Sequence, residues 1–322
     1  MMRHFNKARV LFFSTGVIII LAGLFYSYKE PKSSEFNENN NKDNPKRNYA
    51  IFSIDTPEKL DFAGESVPVD QIDIREALDR EILTNTYWQS QTFLFIKRAN
   101  RFFPVIESVL NKYGVPSDFK YLPIAESGLL NIISPAKATG YWQFLESTAR
   151  EYGLEVNSEI DERYHIEKST EAACKFILES YNKYGSWTMA AASYNAGRKG
   201  LNTQINRQKE THYYDLLLAE ETSRYIFRIL SFKLIISNPS DYGFYFEPDD
   251  LYPEIPTYDV SVEGEVKDFA EFAKRYGISY KVLKLLNPWL REAFLTNKEG
   301  KTYYIKIPRD GYFKINSLNK AE

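Results

Sequence analysis

Stretches of unlike polarity divide the chain before any motif is considered. Residues 10–26, VLFFSTGVIIILAGLFY, carry no charge, and Arg3, Lys7 and Arg9 precede them. That length lies at the lower end of what spans a bilayer, and the basic flank predicts a short N-terminus held in the cytoplasm. A cleaved signal peptide is the competing reading, although the following LFYSYKEPK is too bulky and charged for an A-x-A-like cleavage site. No cysteine lies nearby, so a lipoprotein anchor is excluded. Lys29 to Asn48 is polar, with Phe36 its one large apolar residue. It cannot bury enough surface to offset ordering, and reads as a flexible tether.

From about Asp70 to Asn238 apolar positions recur with a period near 3.6. Pro104 suits a helix first turn, with Val105, Ile106, Val109, Leu110 and Tyr113 on one face and Gly114 as its stop. Phe119, Leu122 and Ala125 continue the period. Pro123 marks a start or a bend there, and Gly128 an end. Further helices are predicted over about 142–152, over the stripe Ala173–Tyr184 before Gly185, over a short stretch capped by Ser186 and ended by Gly197, and over about 221–236. No long alternating run interrupts this body, so the pattern predicts an all-α fold. The end differs. Tyr258, Val260 and Val262 alternate, as do Tyr303, Ile305 and Ile307, and two short helical patterns (266–276 and 279–286) lie between them. That order is strand–helix–helix–strand, set off by Pro239, Pro248, Pro253 and Pro256. The division is therefore 1–28 anchor or signal peptide, 29–48 linker, 49–245 helical body and 246–322 C-terminal module.

Composition narrows the function. At 322 residues the chain has room for about two domains, and 43% apolar residues supply a core. A net charge of −2 argues against a nucleic-acid binder. Aromatics at 16% fit a protein that stacks flat ligands, and equally an aromatic core. One cysteine, Cys174, and three histidines give no disulfide framework and no basis for a metal centre. Cys174 reads as a core filler.

Candidate chemistry begins with Glu126, a carboxylate at a helix end among apolar residues. Desolvation there raises a carboxyl pKa and keeps the proton available to a general acid. Gly140-Tyr141-Trp142-Gln143-Phe144 follows, and Gln143 offers both a donor and an acceptor. Ala191-Ala192-Ser193-Tyr194-Asn195-Ala196-Gly197 presents a phenol and an amide at another helix end. Alone, each motif reads as packing. In this order ESG, SPAKATGYWQF and AASYNAG resemble the catalytic domain of lytic murein transglycosylases. This is the soluble lytic transglycosylase, goose-type-lysozyme-like family, and within it the membrane-bound D-type branch. The likeness spans about Arg98 to Ile236, supported by Asp161-Glu162-Arg163 and Glu221-Thr222-Ser223-Arg224-Tyr225. The C-terminal module resembles a LysM domain through Phe272-Ala273-Lys274-Arg275-Tyr276-Gly277, Leu286-Asn287-Pro288 and Ile305-Lys306-Ile307-Pro308, with Gly264-Glu265-Val266 departing from that pattern.

The resemblance implies a mainly α fold: a lysozyme-like all-α catalytic domain plus a small βααβ LysM-like module. It implies a lyase that cuts the β-1,4 bond between N-acetylmuramic acid and N-acetylglucosamine in peptidoglycan without water, leaving 1,6-anhydromuramoyl ends. Glu126 becomes the single acid and base. Ser134 helps place the N-acetyl group and the carboxyl, Ser127, Gln143, Tyr194 and Asn195 contact the substrate, and Tyr225 hydrogen-bonds near Glu126. No cofactor or metal is implied. The partners are glycan strands and, through the N-terminal helix, a membrane, which places the enzyme in the bacterial envelope, anchored to the inner membrane and facing the periplasm. Two departures stand out: Ser193 where the family usually has Ala, and Tyr141 where it usually has Leu. Asp161 and Glu162 form the nearby acidic pair, and Arg163 beside them favours a structural ion pair over a second catalytic carboxylate. The rivals are a hydrolytic muramidase or chitinase-like glycosidase and a non-catalytic wall-binding scaffold.

Overall fold

The computed structural model describes residues 51–309. The apolar span at 10–26 and the polar tract at 29–48 lie outside them. Among the described residues, no helix is long and apolar enough to cross a membrane. Residues 53–309 lie in one compact unit, which is mainly helical, as the periodicity predicts.

A hairpin opens it. Strands β1 (Asp61–Phe62) and β2 (Glu65–Ser66) pair antiparallel across a two-residue turn, in which Ala63 and Gly64 both take positive φ. Mirror-type turns of this kind match strand twist. The Asp118 carboxylate accepts the Ala63 N–H at 2.7 Å and so supports the strained residue. Seven helices follow: α1 (Ile72–Tyr87), α2 (Gln89–Tyr113), α3 (Leu122–Ser127), α4 (Glu146–Glu151), α5 (Ile166–Tyr184), α6 (Trp187–Ala196) and α7 (Arg198–Gln208). Helix α8 (Glu220–Ser237) closes the body. Helix α6 runs through its middle, with Met189 to Ser193 all buried. All eight helices contribute to one continuous buried apolar cluster around Trp142, Ile177, Ala191 and Ile226.

Two helix boundaries differ from the sequence reading. Pro104 does not start a helix; it sits inside α2, which begins at Gln89. Pro104 is exposed, so water can serve the carbonyl that its missing N–H abandons. Trp142 to Leu145 is not helical, because Gln143 adopts φ 50° and an isolated bridge joins Thr139 to Phe144. Helix α7 went unpredicted, as its surface is almost entirely polar and Leu201 is its one buried residue.

The C-terminal module has the order read from the sequence. Strand β3 (Thr257–Val262), helices α9 (Phe269–Arg275) and α10 (Tyr280–Leu286) and strand β4 (Tyr303–Pro308) follow in turn, with β3 and β4 antiparallel. Its core is not its own. Ile160 and Tyr164 from the helical body join Phe269, Leu283, Trp289 and Ile305 in one buried cluster.

Glu65 shows how the hairpin fixes the middle helix. Its carboxylate accepts bonds from Ser186 Oγ, the N–H groups of Trp187 and Thr188, and Thr188 Oγ1, at 2.6–2.9 Å. Ser186 Oγ, the cap predicted from sequence, accepts from Met189 N–H at 3.2 Å. A carboxylate at a helix N-terminus meets both unpaired donors and the positive end of the dipole. Glu65→Ala is expected to destabilise the protein by about 1–3 kcal/mol. Urea unfolding should show a lower midpoint with an unchanged m value.

Candidate active site

Glu126 lies in the last turn of the short helix α3. Pro123 occupies its first turn, and Gly128, at φ 62°, stops it by donating its N–H to the Ile124 carbonyl at 2.9 Å. The brevity of α3 brings Glu126 to a helix end that faces α8. From α8, Tyr225 donates its hydroxyl to Glu126 Oε1 at 2.5 Å, and Tyr225 is itself 1% exposed. Loss of hydration is the largest influence on Glu126 and pushes its pKa up to about 7. The Tyr225 bond and the Arg228 charge oppose that rise, and Glu221 adds to it. The same burial drives the Tyr225 phenol far above its ordinary range, so it remains a donor.

The acidic neighbour that bears on Glu126, Glu221, is exposed and pairs with Arg228 at 3.1 Å. Asp161 and Glu162 are committed elsewhere. Asp161 takes a two-pronged bond from Arg163, at 2.9 and 2.7 Å. Glu162 accepts from the Glu155 N–H at 2.8 Å and pairs with Lys168. The structural ion pair expected at 161–163 is thus observed.

The remaining candidates occupy distinct positions. Tyr194, at the end of α6, donates to the Trp142 carbonyl at 2.8 Å and lies close enough to Glu126 for that charge to raise its pKa further. Asn195 is tied to the start of α8, its Oδ1 accepting from Thr222 Oγ1 at 2.9 Å. Gln143 does not offer the donor read from sequence. Its Nε2 donates to the carbonyls of Ile132 and Gly140, at 3.1 and 2.8 Å, so the amide oxygen is what it presents. Ser134 closes a tight turn, accepting the Ala138 N–H at 3.0 Å. Ser127 is buried, and its hydroxyl lies 3.0 Å from the Pro123 carbonyl and 2.8 Å from that of Tyr141. It binds the end of α3 to the Gly140 loop instead of facing solvent. Sequence reading missed the support beneath α8. Glu81 on α1, 1% exposed, accepts from Arg224 at 2.7 Å and lies 3.9 Å from Arg228. Only half of the signal was local: Arg224 and Arg228 fall four residues apart on one helix face, while Glu81 lies 143 residues from Arg224.

The Gly140 loop has little freedom. Gly140 has φ 82°, and a Cβ there would sit 2.0 Å from the Arg163 carbonyl oxygen. Arg163 in turn donates to the Phe144 carbonyl at 3.3 Å. Beneath the loop, Trp142 is fully buried and gives its indole N–H to Thr170 Oγ1 at 2.9 Å. Ser193, one of the departures, is accommodated by its own helix, donating to the Ala190 carbonyl at 2.8 Å. Cys174 is buried and its thiol is pushed up to about 12 by dehydration, an inert filler. Among the described residues, no group of three or more potential ligands is placed to hold a metal ion.

Two outcomes follow from this electrostatic balance. Glu126 in the folded protein holds its proton more tightly than in the unfolded chain. Its contribution to stability is therefore complete below 4.5 and is lost as pH rises through about 7. The loss is roughly 3 kcal/mol. Unfolding of wild type minus Glu126→Gln, followed from pH 4 to 8, should show it. Separately, Tyr225→Phe removes a bond to the charged carboxylate. The pKa of Glu126, read by carboxyl NMR titration, should then move up; no change would remove Tyr225 from this role.

Comparison with known proteins places these features. Residues 104–217 match the Transglycosylase SLT domain, and residues 258–311 match the Soluble lytic transglycosylase C-terminal LysM-like domain. Two curated relatives, each named Membrane-bound lytic murein transglycosylase D, come from Escherichia coli strain K12 and from an O6:H1 strain. Both are 29% identical over 243 residues, covering 73% of this chain and 52% of their own. The chain spans about half the length of the curated relatives it matches. Glu126, Gln143, Tyr194 and Asn195 all fall within the first matched segment, and the βααβ module, but for Thr257, within the second, so the chain carries in one compact unit a segment similar to a transglycosylase SLT domain and a segment similar to the LysM-like domain of soluble lytic transglycosylases.

Proposed function

We propose that the protein is a peptidoglycan lytic transglycosylase, with Glu126 as its acid and base. The observation that carries this reading is a carboxyl poised near pH 7, bonded to a phenol, whose acidic neighbour is already paired with an arginine. A group used first as an acid and then as a base works best when its pKa lies near the working pH. Glu126 protonates the glycosidic oxygen leaving the muramic acid C1. Ordinary glycosidases place a second carboxylate about 5–9 Å away to meet the developing positive charge. Here the substrate's own acetamido oxygen supplies that stabilisation. Glu126 then takes the proton of the muramoyl C6 hydroxyl, which closes on C1 to give the 1,6-anhydro end. Proximity favours this internal hydroxyl over water.

The supporting residues follow from their geometry. Tyr225 orients the carboxylate and lowers the cost of its charged state. Tyr194 sets the Trp142–Gln143 wall by holding the Trp142 carbonyl, and the Gln143 amide oxygen accepts from a sugar hydroxyl or acetamido N–H. Asn195 and Ser134 complete the sugar-facing surface. Glycan strands are the substrate, and the membrane-bound relatives support a cell-envelope location. Anchoring by residues 10–26, with the folded part in the periplasm, is the topology we favour from the basic N-terminal flank.

Digestion of purified peptidoglycan tests the reaction. Mass spectrometry should find ends one water lighter than reducing ends for the wild type, and a loss of about 10²–10⁴-fold or more in their release by Glu126→Gln. Reducing ends would assign a hydrolase. Undiminished release by the variant would remove Glu126 from its role.

A further inference from the structure

Arg98, half-buried on α2, carries a charge that the chemistry described above leaves unused. Its Nη1 donates to the Gly128 carbonyl at 3.0 Å, across 30 residues of sequence. Gly128 is the residue that stops α3, two positions after Glu126. Dehydration is the largest influence on Arg98 and lowers its pKa; the Tyr252 phenol opposes that, and no carboxylate figures in the balance. A cation drawn out of water without an anion beside it is costly. The carbonyl that follows the last turn of α3 is what Arg98 receives in exchange, since helix ends leave carbonyls without N–H partners and basic side chains serve them.

Phe95, one turn earlier on α2, closes on the same residue. A Cβ on Gly128 would lie 2.6 Å from the Phe95 ring and 3.5 Å from the Arg98 guanidinium. Phe95 also meets Phe232 of α8 edge-on, with 5.3 Å between ring centroids, and both rings are buried. Phe232 stands two turns beyond Tyr225 on the same face of α8. Helix α2 thereby touches both carriers of the catalytic hydrogen bond, the helix of Glu126 through Gly128 and the helix of Tyr225 through Phe232. The turn from which Arg98 reaches is itself fastened. The Lys97 carbonyl accepts the Tyr252 N–H at 3.3 Å, Asn100 Nδ2 donates to the Tyr252 carbonyl at 3.1 Å, and Arg101 Nε donates to the Pro253 carbonyl at 3.0 Å. The segment that leads into the C-terminal module therefore anchors this turn of α2.

We propose that Arg98 is a positioning residue of the reaction, which holds the end of α3 so that the Glu126 carboxyl stays within reach of the Tyr225 hydroxyl. It acts through Gly128, and the proposal rests on the reading of Glu126 as the acid and base. Losing this clamp leaves the sugar-facing side chains in place and displaces the acid, so the chemical step suffers while binding does not.

The test uses the full chain. Arg98→Met keeps an apolar stem and removes the donors and the charge. With soluble peptidoglycan strands, its kcat should fall about 10–100-fold while KM stays within about twofold of wild type. Arg98→Lys, which keeps a charged donor, should recover part of that loss. Carboxyl NMR titration supplies the readout that general loosening of the fold would not give. The pKa of Glu126 should move up in Arg98→Met, because the Tyr225 bond that favours the charged form is loosened. In a Tyr225→Phe background the same substitution should leave it unmoved, whereas a direct effect of the Arg98 charge would persist. If Arg98→Met fails to fold, as judged by circular dichroism, Arg98→Gln replaces it, its shorter amide carrying no charge. An unmoved titration overturns the proposal, as does a shift that survives Tyr225→Phe or a rise in KM with kcat unchanged. A wild type that makes no anhydro ends would remove the catalytic reading, while the titration still shows whether Arg98 holds Glu126 to Tyr225; anhydro ends with an unmoved titration would remove the clamp alone.

Discussion

The structure turns on the dehydration of one carboxyl group, balanced by one phenol. Burial alone would make Glu126 a permanent acid, and full exposure would make it a permanent anion. Tyr225 offsets part of the desolvation, leaving the group near neutrality at about pH 7. Much of the surrounding architecture serves to hold those two side chains opposite each other. Helix α3 must stop just after Glu126, which Gly128 achieves, and α8 must present Tyr225 at the right height.

Helix α8 is held by a buried charge. Glu81 reaches it from α1 and engages Arg224, while Arg228 on the same face lies near both Glu81 and Glu221. Removing one member of such a set leaves an uncompensated charge, which costs more than the intact set contributes. The arrangement therefore fixes the rotation of α8 about its own axis more than it adds stability. That rotation decides whether the phenol faces the carboxyl. Asn85 adds a neutral tie between the same helices through Ser231, at 2.6 Å.

Much of this was legible in the sequence, and the unreadable parts have a common cause. The periodicity located α5, α6, α8 and the βααβ order, because those elements bury one face against a core and write that face into their spacing. Glu126 and Tyr225 were identified from motif order, and their contact was implied only by the resemblance. What could not be read depends on backbone geometry. Nothing in GYWQF announces a left-handed Gln143, yet that one torsion abolishes a helix start and turns the amide donors inward onto Ile132 and Gly140. Ser127 was misjudged for a related reason: its hydroxyl meets the Tyr141 carbonyl only after the loop folds back. Likewise Glu65 lies more than 120 residues from the helix it caps, and no local window contains both.

The junction between body and module is more than surface contact. The backbone of residues 159–161 exchanges bonds with that of 289–291: Asp161 N–H donates to the Trp289 carbonyl at 2.9 Å, and Arg291 N–H to the Glu159 carbonyl at 2.7 Å. Glu159 further accepts from Thr296, and the Arg291 guanidinium lies over the Tyr164 ring, 4.1 Å from its centroid. The residues so engaged on the body side lead directly into the Arg163 carbonyl that packs on Gly140. A module joined this way is not an interchangeable cassette. Grafting another small module in its place would leave Ile160 and Tyr164 uncovered and the loop beneath Gln143 without its backing, so the two parts have to be engineered as a single object.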